Sequence, residues 1–231
     1  MIINYKLIYF NQNKLTNYLK NDYILSNVKK KQSHISFYDQ WITDSPAKRM
    51  IYHWLVKELI KYKNKRLFDV GGGLHYFTNF FARNFKYSLI DPLYGLEKEK
   101  IDFYFKSSSK FNLIKKDWTS FERKMTDVVI SNDLFPNTDQ RIEEFIKFSS
   151  KICKVLFLIL TFHNKTKSYL VKRLDTDEHL WIKQFDGYLL SKILRKNGIK
   201  LSYHHEKKIQ TINERIFPNN RQVILLKLFF K

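Results

Sequence analysis

The run Arg66-Leu67-Phe68-Asp69-Val70-Gly71-Gly72-Gly73-Leu74-His75 constrains the fold of this chain more than any other stretch. A largely apolar segment of strand length ends in an acid and a valine, opens into three glycines, and gives way to helical periodicity. Glycine takes φ > 0 readily and has no Cβ, so a tight turn here lets a ligand lie against bare backbone. The helix that follows offers unpaired N–H groups in its first turn. The carbonyl face of the turn therefore reads as a cofactor seat.

From residue 45 onward, strand-like and helix-like segments alternate, the pattern of an α/β sheet with crossover helices. Ser45-Pro46-Ala47 predicts an N-cap followed by proline at the first helical position, opening a helix through Met50, Ile51, Trp54, Leu55, Leu59 and Ile60. Strands are predicted at about 66–70, 86–90, 111–115, 126–131 and 153–161, and helices near 75–84, 138–150 and 184–197, the last ended by Gly198. Ile199 to His204 and Arg221 to Phe230 read as two final strands. The polar stretch between them is too short for a crossover helix, so they should pair antiparallel. Residues 1–44 show no clear period and are expected to cover the cofactor cleft, with Tyr38 and Trp41 facing a ligand or the core.

With 231 residues, the chain suits one domain with an appendage. Its longest apolar run, Val155 to Phe162 with Thr161 as its one polar residue, is far short of a membrane span, and the N-terminal residues do not resemble a signal peptide. The expectation is a soluble cytoplasmic protein with no membrane partner. Cys153 is the only cysteine, which excludes a disulfide framework and a cysteine-based zinc site within one chain.

Net charge is +20, and it is unevenly spread: residues 1–64 carry 11 basic and 4 acidic side chains, 65–164 carry 16 and 12, and 165–231 carry 15 and 6. Two readings compete. A basic face attracts nucleic-acid phosphates. Against this, lysine outnumbers arginine 33 to 9, as codon bias would produce, whereas arginine is the favoured side chain for bidentate phosphate contacts. Nucleic acid is the less favoured partner, a small anionic molecule the more favoured one.

Asp91 follows Asp69 by 22 residues and closes another buried-strand pattern, Tyr87-Ser88-Leu89-Ile90. Dinucleotide-binding folds place a ribose-binding acid at a similar spacing. Here, however, an acid also precedes the glycines, where a pyrophosphate would meet repulsion and a cofactor with a cationic amino-acid end would be favoured. On these residues the chain resembles the class I S-adenosylmethionine-dependent methyltransferases. Phe68 to Gly73 is similar to that family's first motif, Asp91 to its ribose acid, Lys116-Asp117-Trp118 to its adenine-contacting pair, and Asp127 to Asp133 to its fourth motif. The third glycine of the usual motif is replaced by His75. The resemblance covers roughly residues 45–231. It implies a Rossmann-like fold in the α/β class: a seven-stranded, mostly parallel sheet with a C-terminal antiparallel pair and helices on both faces.

The same resemblance implies S-adenosylmethionine as cofactor, held by Asp69, Gly71, Gly72, Gly73, Asp91, Asp117 and Trp118, with Ser131 and Asn132 as further contacts. No metal is required. His163, at the end of the fifth strand, is the first candidate for a general base, since an imidazole of ordinary pKa about 6.5 accepts a proton near neutrality. Asp133, at the carboxyl end of the fourth strand, is the other candidate catalytic residue. His75 is expected to face the acceptor, and Tyr38, Arg141, Lys172 and Arg173 to bind it. The Asn132-Asp133-Leu134-Phe135-Pro136-Asn137 stretch lacks the paired prolines of methyltransferases acting on planar amide or adenine nitrogens. Together with Ser45 to Arg49 it is similar to small bacterial methyltransferases of capsule biosynthesis, some linked to O-methyl phosphoramidate groups. That implies oxygen methylation of a small anionic glycan precursor. An RNA methyltransferase remains the alternative, and the oligomeric state is open.

Overall fold

A computed structural model describes residues 2–30, 37–94, 96–107, 110–122, 124–136, 138–172, 179–214, 216–217 and 219–231. Two compact units divide the chain, one of residues 11–121 and one of residues 1–10 with 122–231.

In the first unit, α1 (Gln12–Leu19), α2 (Tyr23–Lys30) and α3 (Phe37–Asp44) precede the longer α4 (Pro46–Leu59). Ser45 caps α4 as the sequence predicts, its hydroxyl accepting from the Lys48 N–H, with Pro46 in the first turn. Arg49 of α4 is buried. Its Nε donates to Asp22 Oδ2 at 2.7 Å and its Nη1 to the carbonyls of Ile42 and Thr43, which pins the loop before α2 and the end of α3 to α4. The parallel strands β2 (Arg66–Val70), β3 (Lys86–Ile90) and β4 (Asn112–Ile114) follow, with α5 (Tyr76–Asn84) between the first two and α6 (Lys98–Ser107) between the last two. Every position of β2 and β3 after the first is buried, as a parallel strand covered on both faces requires.

The second unit contributes β1 (Ile2–Tyr9), β5 (Val128–Asn132), α7 (Ile142–Ile152), β6 (Val155–Phe162), a hairpin of β7 (Lys167–Lys172) and β8 (His179–Gln184), then α8 (Gly187–Lys196), α9 (Tyr203–Thr211) and β9 (Gln222–Phe230). β5 and β6 run parallel; β9 lies antiparallel to β6 on one side and to β1 on the other. The seven strands form one sheet in the order β1-β9-β6-β5-β2-β3-β4, a mostly parallel α/β sheet of the expected class. β6 is buried along its whole length and β9 nearly so. Even Lys227 is sequestered there, its ammonium 4.9 Å from the Phe157 ring centre and 5.0 Å from that of Phe229.

Two expectations are corrected. Residues 199–204 form no strand: the Ser202 side chain accepts from the His205 N–H and so starts α9. The strand beside β9 comes from the other end of the chain, so Ile2–Tyr9 belongs to the sheet and not to a cover. Gly198 ends α8 as predicted, with φ +82°.

Candidate functional site

In the unit of residues 11–121, the glycine turn is fixed from both ends. Gly71 N–H donates to the Ile90 carbonyl at 3.0 Å, and Gly73 N–H to Asp91 Oδ2 at 2.9 Å. Gly71 and Gly73 have φ of 71° and 69°, in the left-handed region. Gly72 is needed for a different reason. A Cβ there would sit 2.5 Å from both carboxylate oxygens of Asp69, which lies directly beneath the turn.

Asp69 is only 2 % exposed. Its Oδ2 accepts from the Tyr87 hydroxyl at 2.9 Å, while Oδ1 is buried with no hydrogen-bond partner among the described residues. Burial pushes its pKa up to about 7; the Tyr87 hydrogen bond opposes the rise and the Asp91 charge adds to it. Burial and the Asp69 charge push the Tyr87 phenol well above its ordinary value in turn. A buried acceptor without a donor is costly, and an incoming ammonium would satisfy this one. The site therefore fits the cationic amino-acid end of the expected cofactor.

Asp91 does more than the sequence reading assigned to it. Besides bracing Gly73, it accepts from the Leu93 N–H through Oδ1 at 2.8 Å. A carboxylate can accept more than two hydrogen bonds, so these two do not by themselves exclude a ribose contact. Asp117 caps the short turn Trp118–Ser120, accepting from the Thr119 N–H and hydroxyl, and Trp118 is buried.

His75 is corrected from acceptor contact to helix cap. Its Nδ1 accepts from the Phe77 N–H at 3.0 Å, so the neutral ring carries its proton on Nε2, which donates to the Tyr52 hydroxyl at 3.0 Å. Both ring nitrogens are thereby engaged. Burial drives its pKa down to about 3, with the Lys48 charge pushing the same way and a Gly72 backbone bond opposing. Asp39 was missed. Its buried carboxylate accepts from the Tyr76 N–H at 2.6 Å and complements the N-terminus of α5. Trp41 is partly exposed, with the Lys48 ammonium 4.8 Å from its ring centre. Tyr38 belongs to α3 by its backbone; its side chain lies outside the described residues.

The other unit carries the candidate acceptor groups. Ser131 is buried and Asn132 half-buried at the end of β5; Asp133 follows with φ 62° and is tied to β6 by its N–H to the Ile159 carbonyl. Arg221, just before β9, meets Asp133 through Nη1, 3.4 Å from Oδ1 and 3.2 Å from Oδ2. His163, just beyond β6, is largely buried and anchored by its N–H to the Phe185 carbonyl at 2.7 Å. Burial and Arg221 lower its pKa while Asp133 raises it, so the net shift is downward and the ring is neutral near pH 7. A neutral imidazole is the form that accepts a proton.

Arg141 does not present a free guanidinium. Asp139 holds it in a fork, with Nε to Oδ1 at 2.9 Å and Nη2 to Oδ2 at 2.6 Å. Lys172 ends β7, its side chain outside the described residues, and Arg173 lies outside them altogether. Arg221 is the group that sequence reasoning missed. Its one signal is its position, after Asn219-Asn220 and separated only by Gln222 from an apolar run. Among the described residues, no group of three or more His, Cys, Asp or Glu could hold a metal ion, and no helix is long and apolar enough to cross a membrane.

No protein-family model matches this sequence, and no curated protein matches it. Its likeness is to solved folds. One is a DhpI–SAH complex, at TM-score 0.54 and 13% identity, covering 94% of this chain and 95% of the other. Another is the Burkholderia thailandensis 1,6-didemethyltoxoflavin-N1-methyltransferase with 1,6-didemethyltoxoflavin and S-adenosylhomocysteine bound, at TM-score 0.55 and 11% identity, covering 100% and 98%. At such low identity, the likeness establishes the fold: the Rossmann-like sheet of S-adenosylmethionine-dependent methyltransferases, matched over nearly the full length of both chains.

Proposed function

We propose that this protein is a class I S-adenosylmethionine-dependent methyltransferase acting on an oxygen of a small, polar, anionic acceptor. The observation that carries the reading is the buried, unpartnered Oδ1 of Asp69 beneath a three-glycine turn at the carboxyl end of a parallel strand. The fold likeness to methyltransferases with bound S-adenosylhomocysteine supports it.

The cofactor, when bound, supplies an electrophilic methyl group. Asp69 would take its ammonium, the glycine backbone would lie along it, and Asp91, which also braces Gly73 and Leu93, would take the ribose hydroxyls. Asp117, Trp118, Ser131 and Asn132 are proposed as flanking contacts. His163, neutral and next to the field of Asp133 and Arg221, would accept the proton of the acceptor hydroxyl. Displacement at a methyl carbon demands alignment above all, and holding reactants in near-attack geometry contributes about 7–11 kcal/mol.

The finer reading, a phosphoramidate-type precursor of capsular glycan, rests on the short segments Ser45 to Arg49 and Asn132 to Asn137 alone. Methyl-labelled cofactor, incubated with the protein and a mixture of small hydroxylated carboxylates, phosphates and phosphoramidates, tests the acceptor class by mass spectrometry. A product gaining one labelled methyl is expected, and a protein with no affinity for the cofactor would refute the assignment. The net charge of +20 favours one second reading, an RNA acceptor. It requires RNA binding that weakens steeply with salt, and a flat response removes it.

A further inference from the structure

Arg221 is held as a ligand-binding guanidinium is held, yet the edge best suited to a ligand has no partner among the described residues. A guanidinium has five N–H donors in a rigid fork. Asp133 engages only Nη1, and the Phe217 ring supports the plane with its centre 4.6 Å from Cζ. Nε is fully buried and has no hydrogen-bond partner among the described residues. The side chain as a whole is 13 % exposed, so part of the group reaches the surface. Buried donors are nearly always satisfied, and a charged donor left unmet is costlier than a neutral one.

We infer that Arg221 determines acceptor specificity, its Nε and Nη2 edge taking a pair of anionic oxygens from a carboxylate or phosphoryl group on the acceptor. Two parallel N–H···O bonds from that edge satisfy the orphaned Nε, and lysine cannot reproduce them. Asp133 steadies Nη1 without occupying the other edge. Asn219 holds the Arg221 backbone through Oδ1, 3.2 Å from the Arg221 N. The word acceptor rests on the methyltransferase reading; the anion site does not.

The test follows the Arg221 Nε–H resonance by NMR in cofactor-free protein titrated with inorganic phosphate and, separately, with acetate, against sodium chloride at equal ionic strength. A saturable displacement of that resonance by phosphate, acetate or both is expected, and the probe that acts names the source of the oxygens. Arg221→Lys, followed at the Gln222 amide, should bind the active probe about tenfold more weakly or worse. Arg195→Lys, at an exposed position of α8, should bind it unchanged. An Nε–H that neither probe moves, one that chloride moves equally, or an unaltered affinity in Arg221→Lys overturns the inference. Wild-type protein alone decides the first two outcomes, whatever the variant's folding. Titrating the same samples with S-adenosylhomocysteine tests the cofactor reading separately, so the two can fail independently.

Discussion

Replacing Asp69 with Asn should make the cofactor-free protein more stable above neutral pH while weakening cofactor binding. In the folded chain Asp69 keeps its proton up to about pH 7, whereas its ordinary pKa is 3.8. Between those values the folded state binds one proton more than the unfolded state. Stability therefore falls as pH rises through the window, by about 1.4 kcal/mol per pH unit, or about 4 kcal/mol across it. The substituted side chain cannot ionise and still accepts from the Tyr87 hydroxyl, but its buried amide lacks an acceptor, which costs about 1–3 kcal/mol. The variant should gain a net of about 1–3 kcal/mol above pH 7 and lose that advantage near pH 4. Urea unfolding of both chains from pH 4 to 8 measures this, and the difference between them cancels titrations they share. That difference should change steadily up to about pH 7 and then level off. A difference independent of pH would refute the argument, since Asp69 would then feel no unpartnered burial.

Gly72→Ala should weaken S-adenosylhomocysteine binding by tenfold or more, read by calorimetry, because the added Cβ, 2.5 Å from both oxygens, must displace the Asp69 carboxylate; unchanged affinity would contradict that role. Arg49→Met takes the counter-charge from Asp22, leaving it, among the described residues, only the Tyr18 hydroxyl and the Leu25 N–H as donors, and should cost about 3–5 kcal/mol in urea unfolding; a loss below about 0.5 kcal/mol would place the pair among inconsequential contacts. His75→Ala should cost about 1–2 kcal/mol through the lost cap. Because the folded pKa of His75 is lowered to about 3 from 6.5, its contribution to stability is full above pH 6.5 and is lost as pH falls towards 3. Its ring resonances should accordingly stay unmoved between pH 8 and 5, and titration in that range would contradict the buried cap.

The sequence was most legible where one local rule acted alone. Buried strands such as β2 and β3 are mostly apolar after their first residue, and Ser45-Pro46 and Gly198 mark helix ends through their own chemistry. Edge strand β1 was not, because one face is largely exposed and Asn4 and Lys6 interrupt its pattern. Residues 199–204 misled for the opposite reason, since their apolar alternation hides the Ser202 cap. In the candidate site, Asp69 and the glycines announce themselves by being contiguous. The Asp133–Arg221 pair joins residues 88 apart, a distance that only the sheet closes. A capping histidine and a ligand-facing one look the same in sequence, and only Phe77 and Tyr52 tell them apart.

The claim on which the account depends is that Asp69 grips a cation at the foot of the glycine turn. Calorimetric titration with S-adenosylhomocysteine at about pH 6, in two buffers of different ionisation heat, counts protons exchanged on binding. Nearly one proton should leave wild-type protein, none at about pH 8.5, and the Asp69→Asn protein should bind more weakly with no such release. Equal affinity in the two proteins, with no proton released by either, would contradict the claim.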